Sequence, residues 1–348
     1  MAKPVLTPTN FFNPVSQVKK RPVLVQKSIV PLLAQKNKNP VCPPSPLPPF
    51  HQIPCPSIVS YNPTSLSSYS DLSTKVHKKI LKLSRNHEIV CLQETKLLAN
   101  DFSSLKSVLS SHTLFYSNNP ENTGAKASTY TAGVCTAVTR SITSQFVTSS
   151  IDLHVSLAGH ALVIRFELPG SDFSLNLVNI RLVTPPSGKV EAQEVQIKHL
   201  LDSLNKHPAK FTIMTGDFNF VEREQDSTSN FPCAPRPMWD SLLDTLSLKD
   251  QTSDVHTFFH RPTDSHCPSW SSRLDRFYIS HSEADLLVVK PVASSDTSPL
   301  VDAGSIGFNA HVPTSLRFFS RVKSKKGPRR LDDLTVADPS FKKLTLSH

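Results

Sequence analysis

The sequence predicts an α+β fold, a sandwich of two β-sheets covered by helices. Two observations carry this: apolar strand patterns fall in two groups separated by helical periodicities, and several of those strands end in polar residues. At 348 residues the chain is long enough for one large domain with a full core. The polar strand ends should then line one rim of the sandwich.

Composition divides the chain in three. Residues 1–56 hold 13 of the 29 prolines and seven Lys or Arg with no Asp or Glu, so they read as a disordered basic arm. Residues 321–348 carry eight basic and three acidic residues and read as a basic polar tail. Of the total charge of +10, these arms hold +7 and +5, which leaves −2 for the predicted folded domain, 57–320. The basic balance thus belongs to the arms, and any phosphate affinity drawn from charge alone is theirs. Six cysteines without a CxxC pair or a secretory signal predict free thiols. No apolar run spans a membrane, and proline prevents an amphipathic helix in the acid-free N-terminus, so a nuclear or cytoplasmic protein is expected, neither secreted nor membrane-bound.

Taken in order, Ser57 to Tyr61 is β-like, and Ser70 or Asp71 caps a helix with Leu72, Val76, Ile80 and Leu83 on one face. Glu88 to Leu92 is a continuous apolar run of the kind covered on both faces, ending in Gln93 and Glu94. A second helix buries Phe102, Leu105 and Leu109. Residues 116–131 read as a loop, and Ala132 to Val138, Ile151 to Val155, Ala161 to Leu168 and Ser174 to Ile180 as four strands of a meander. Val190 to Leu204 has the i, i+3, i+4, i+7 face of a helix in Ile197, Leu200, Leu201 and Leu204. The strand beginning at Phe211 follows, then a helix at Met238 to Leu246 and strands at His256 to His260, Arg273 to Ser280, Leu286 to Ala293 and Pro313 to Phe319.

Phe211 to Val221, FTIMTGDFNFV, is the chemical centre. If the backbone stays extended, the two-residue period points Asp217 and Asn219 to one side and Phe218 into the core. A carboxylate beside an amide suits a hard, oxygen-preferring ion and an oriented water, although Gly, Asp and Asn are also ordinary turn residues. Glu94 directly follows a buried strand and needs a cation, either a metal or Lys96. Asp275 lies between Arg273 and Arg276, where a structural salt bridge is the plain reading. His311, before an x-Pro step, reads on its own as a structural histidine.

Order and spacing change that reading. Asn62, then Gln93 and Glu94, GDFN at 216–219, SRLDR at 272–276 and a His-x-Pro strand resemble the endonuclease/exonuclease/phosphatase superfamily over roughly residues 57–320. Within it the similarity is to the apurinic-type endonuclease domain of LINE-type, non-LTR retrotransposons. The resemblance implies a DNase I-like, four-layer α/β sandwich with two mixed sheets face to face, and a Mg²⁺-dependent DNA endonuclease, with Mn²⁺ as a possible substitute. By matching motifs, Glu94 would bind the metal with Asn62 close by. Asp217 would position or activate water, Asn219 would hold that water or the phosphate, and His311, oriented by Asp275, would contact the scissile phosphate. Asn179 and Arg181 fall where the family contacts substrate. The partner implied is the DNA backbone. The tail resembles a linker toward a reverse transcriptase, a portion expected to be absent from this chain. Oligomeric state and target-site preference are left open.

The chain departs from the family pattern where Ala310 replaces an Asp beside His311 and where Arg181 replaces a Tyr. A second alignment sets Ser295 to Leu300 on the same motif with Thr297 in the histidine's place. His311 is preferred because it alone joins histidine, the x-Pro step and a following alternating strand. The competing functions are a catalytically inactive nucleic-acid-binding remnant, favoured by Ala310 and Arg181, and another superfamily hydrolase, a phosphatase or a deadenylase.

Overall fold

The computed structural model describes residues 56–64, 66, 72–97, 99–118, 133–184, 190–229, 231–251, 254–261, 269–280, 289–295 and 308–320. Apart from Pro56, the arms expected over 1–56 and 321–348 lie outside these described residues, as do the caps Ser70 and Asp71 and Thr297. Two six-stranded sheets face each other. The first takes β1 (Ile58–Tyr61), β2 (Ile89–Leu92), β3 (His112–Ser117), β4 (Val134–Thr139), β13 (Val289–Ser295) and β15 (Thr314–Ser320), in spatial order β13-β15-β1-β2-β4-β3. The second takes β5 (Val147–Ser150), β6 (Ala161–Glu167), β7 (Ser174–Arg181), β8 (Phe211–Asp217), β9 (Leu248–Asp250) and β12 (Asp275–Ser280), in order β5-β6-β7-β8-β12-β9. A small sheet, β11-β10-β14, joins β10 (Phe258–Arg261), β11 (Trp270–Ser272) and β14 (Phe308–His311). Both large sheets are mixed, with β1 parallel to β2 and β7 parallel to β8.

Strand periodicity sorts the core into layers. Ile58, Ile89, Cys91 and Leu316 of the first sheet meet Leu175, Leu177, Ile213 and Phe277 of the second. Alternate residues of the first sheet, Val59, Val90 and Leu92, pack under Ile80 and Leu83 of α1 (Leu72–Asn86) and Leu105 of α2 (Ala99–Val108). On the outer face of the second sheet, Val178, Ile180, Met214 and Tyr278 lie under Ile197, Leu200 and Leu204 of α4 (Glu191–Lys206) and Trp239 and Leu242 of α5 (Met238–Thr245). A one-turn α3 (Arg140–Thr143) follows β4. The result is the expected helix, sheet, sheet, helix sandwich. Strand β2 reads as a continuous apolar run because each of its faces meets a different apolar layer.

Several expectations are corrected. The segment expected as loop from residue 116 begins inside β3, an edge strand paired to β4. The strand expected at Ile151 to Val155 is irregular and enters a 3₁₀ turn at Val155–Leu157, where the His154 ring accepts from the Ser156 N–H; the strand is instead the preceding β5. The four-strand meander reduces to β5-β6-β7, because β4 belongs to the first sheet. His311 closes β14, a strand not anticipated, and the next strand begins at Thr314. Cys91, Cys135 and Cys233 are free thiols. Among the described residues, no helix is long and apolar enough to cross a membrane.

Candidate active site

Toward one rim the layer between the sheets turns from apolar to polar. On β7, Leu175 and Leu177 face the other sheet, and the same two-residue step brings Asn179 and then Arg181 onto that face. Register aligns Arg181, Asp217 and Asp275 in one row across β7, β8 and β12. Gly216 makes the row possible. Its φ is +143°, and a Cβ there would stand 1.7 Å from the Ile180 carbonyl oxygen, so β7 approaches β8 as closely as it does only with glycine.

Past β8 the backbone does not stay extended. Asn219 takes φ 51°, a left-handed conformation that asparagine tolerates, and its N–H donates to Asp217 Oδ1 at 3.1 Å. The two side chains still meet, Asn219 Nδ2 donating to Asp217 Oδ2 at 3.1 Å and to the Leu182 carbonyl at 2.8 Å, while Phe218 is fully buried. Asn62, at the end of β1, donates to Asp217 Oδ2 from the opposite sheet at 3.0 Å. His311 Nε2 lies 3.4 Å from Asn62 Nδ2 and 3.9 Å from Asp217 Oδ2. His311 Nδ1 and Asp275 Oδ2 are 2.9 Å apart.

The salt-bridge reading of Asp275 therefore fails. Its neighbours Arg273 and Arg276 are occupied elsewhere: Arg273 grips Asp226 at 3.0 Å and Asp250 at 2.7 Å, and Arg276 reaches Asp226 and the Phe220 carbonyl. Lys96 is only a distant partner of Glu94, at 3.9 Å. The close partner of Glu94 is Arg181, whose Nε donates to Glu94 Oε1 at 3.1 Å while Nη2 stands 2.9 Å from the same oxygen as an ion pair. Glu94 itself has φ 48°, a rare state for a non-glycine residue, of the sort that collects at functional sites. Asn179 is 0% exposed: its amide donates to the Leu92 and Cys135 carbonyls and to Thr136, and its oxygen accepts from Gln93. Expected as a substrate contact, Asn179 is used up in bridging the two sheets beneath the rim.

Burial, with the Asp275 and Glu94 charges, pushes the Asp217 carboxyl up to about 6, against the opposing pull of His311 and Arg181. For His311, burial works against the charged ring, but the Asp275 and Asp217 carboxylates outweigh it and raise the imidazole to about 9. The ring is then an imidazolium at neutral pH, donating through Nδ1 to Asp275 and presenting Nε2–H on the side of the Asp217 carboxylate. Donor atoms of Asp217, Asp275 and His311 lie within 4.8 Å of one another, and Asp275 Oδ1 is buried without a partner. An orphaned carboxylate oxygen beside a second carboxylate fits a hard divalent cation.

Two supports had no local signature in the sequence. Thr257 Oγ1 accepts from the Leu274 and Asp275 N–H groups, pinning the backbone that aims Asp275. Asp226, buried between Arg273 and Arg276, also accepts from the Glu222 and Arg223 N–H groups and so ties the loop after Asn219 to β12.

Comparison with known proteins agrees with this architecture. The profile of the Endonuclease/Exonuclease/phosphatase family matches residues 65–299. No curated protein matches the chain. Among solved structures, the AP endonuclease LMAP from Leishmania major superposes with a TM-score of 0.55 at 16% identity, covering 76% of this chain and 87% of its own. The 3′ phosphatase NExo from Neisseria, bound to a product DNA hairpin, gives 0.54 at 17% identity, covering 76% and 100%. An AP endonuclease from Archaeoglobus fulgidus gives 0.51 at 17%, covering 75% and 98%.

Proposed function

Because the chain belongs to the endonuclease/exonuclease/phosphatase family, we propose that it is a divalent-metal-dependent phosphodiesterase that nicks one strand of DNA, as in LINE-type retrotransposition. The observation that carries this reading is the meeting, on one rim, of a buried Asp217 held by Asn62 and Asn219 with a His311 oriented by Asp275. The LINE-type assignment draws on the ordered motifs GDFN and SRLDR.

Asp217 takes the proton of the attacking water. Its carboxylate is fixed by two amide donors, and an acid group brought up to about 6 accepts a proton better than an ordinary surface aspartate. His311 then donates Nε2–H to the oxygen on which negative charge develops, and Asp275 at Nδ1 sets its tautomer and keeps it charged. Arg181 adds a fixed cation at the rim for the phosphate. Mg²⁺ or Mn²⁺ would be held by Glu94 with Asn62 beside it and the Asp217 and Asp275 carboxylates in support. Such an ion supplies Lewis-acid polarisation of a phosphate oxygen.

Supercoiled plasmid tests this, with Mg²⁺ or EDTA and with wild type, Asp217→Asn and His311→Gln. Nicked circles that need the metal are expected, with rates falling by about 10² to 10⁴ in either variant. Asp217→Asn nicking at the wild-type rate would refute the assignment of the base. Intact plasmid with a retained gel shift would point to an inactive binding remnant, and hydrolysis of phosphomonoesters alone to a phosphatase.

A further inference from the structure

Arg181 is more than a rim cation. Its side chain is 6% exposed, and both its Nε and Nη2 close on one oxygen of Glu94. It cannot easily swing aside. The Arg181 N–H donates to the His160 carbonyl at 2.7 Å, its own carbonyl lies 3.2 Å from His160 Nδ1, and the next residue's N–H donates to the Asp217 carbonyl at 3.0 Å. The guanidinium therefore emerges from fixed backbone, in register with Asp217, toward a Glu94 that is itself fixed in a left-handed conformation. Turning it away would leave both charges poorly paired in a site from which water is largely excluded.

We propose that Arg181 is a resident cation on the metal-binding carboxylate, holding Glu94 when no divalent ion is bound and competing with that ion for it. The inference rests on the reading of Glu94 as the ion's ligand. A carboxylate oxygen that already accepts from a guanidinium N–H and has a second guanidinium nitrogen 2.9 Å away offers less charge to an ion, and two cations sharing one carboxylate repel. The consequence is a site that stays assembled without metal and takes up metal more weakly than the same site with a neutral residue at 181.

Titration of the full chain with Mn²⁺, read by the EPR signal of free Mn²⁺ and by thermal shift without substrate, tests this. Arg181→Gln should lower the melting temperature of the metal-free protein, tighten Mn²⁺ binding by about tenfold or more and enlarge the stabilisation by Mn²⁺. Arg181→Lys keeps the charge but loses the two-pronged grip. It should fold even if Arg181→Gln does not, and tighten binding by about two- to threefold. In a Glu94→Gln background both gains should vanish. Unchanged or weaker binding in Arg181→Gln and Arg181→Lys, or an equal gain in the Glu94→Gln background, would overturn the proposal. A chain that nicks no plasmid yet shows the gain would keep this inference and sink the nuclease reading; a nicking chain without the gain would do the reverse.

Discussion

His311 is held charged because buried carboxylates face both ring nitrogens, Asp275 at 2.9 Å from Nδ1 and Asp217 at 3.9 Å from Nε2. Its folded value, about 9, stands above the ordinary 6.5. The stabilisation from its protonated form is thus complete below about 6.5 and is lost as pH rises through about 9. Asp217 acts in the same direction, since a carboxyl raised to about 6 favours the fold while protonated and opposes it once ionised. Metal-free protein should therefore melt at progressively lower temperature as pH rises from about 6.5 to about 9, the window of His311, and His311→Gln should flatten that slope, while the Asp217 contribution is lost earlier, between about 3.8 and about 6. By NMR the His311 ring should titrate near pH 9 in wild type and move toward 6.5 in Asp275→Asn; a wild-type midpoint near 6.5 would contradict the charge assignment. The same reasoning predicts that Asp217→Asn, which removes a buried charge, raises the metal-free melting temperature while nicking is lost, the usual opposition of stability and activity at a catalytic acid or base.

At the scale of elements, β7, β8 and β12 carry the rim, and two features hold them in place. Gly216→Ala would set a methyl group 1.7 Å from the Ile180 carbonyl and force φ +143° on an L-residue. It should cost more than about 2 kcal/mol in urea unfolding, as strained-backbone substitutions do, and disturb the Arg181 and Asp217 row. Burial would raise the Asp226 carboxyl, but Arg273 and Arg276 hold it below the usual range, so its contribution is present at neutral pH and lost only as the solution becomes strongly acidic. Asp226→Asn would leave two buried guanidinium groups short of a counter-charge and should destabilise by about 3 to 5 kcal/mol, visible as a lower urea midpoint with an unchanged slope. The central strands were legible in the sequence because two apolar layers dictate their residues, as in IVCL of β2 and FTIMT of β8. Edge and short strands were not: β5 is VTSS with three of four residues exposed, and β14 is only FNAH, so neither carries a burial pattern. Among site residues, Asp217, Asn219, Asp275, His311 and Asn62 could be named from strand ends and motif order. The grip of Arg181 on Glu94, the sheet-bridging role of Asn179 and the support from Thr257 could not, because each depends on a partner roughly 17 to 90 residues away that tertiary packing alone brings near.

Over the whole molecule, charge and chemistry lie in different places. The rim concentrates the carboxylates of Glu94, Asp217 and Asp275 with the His311 imidazole, the Arg181 guanidinium and, 3.9 Å from Glu94, the Lys96 ammonium, whereas the net positive charge belongs to residues 1–56 and 321–348. A phosphate backbone approaching a carboxylate-lined rim meets repulsion, which a bound divalent ion would offset locally and basic arms would offset over a longer range. We therefore expect the arms to supply most of the sequence-neutral affinity for DNA and the 57–320 domain to supply the chemistry. Each phosphate contact made by an arm adds about 0.9 to the slope of log affinity against log salt. A chain cut to residues 57–320 should keep its melting temperature within a few degrees, lose much of its gel-shift affinity at low salt and show a flatter salt slope. Its nicking rate at saturating plasmid should fall far less than its affinity, since no arm residue is assigned a role at Asp217 or His311. Equal salt slopes for the full and shortened chains would place DNA binding on the folded domain and refute this division.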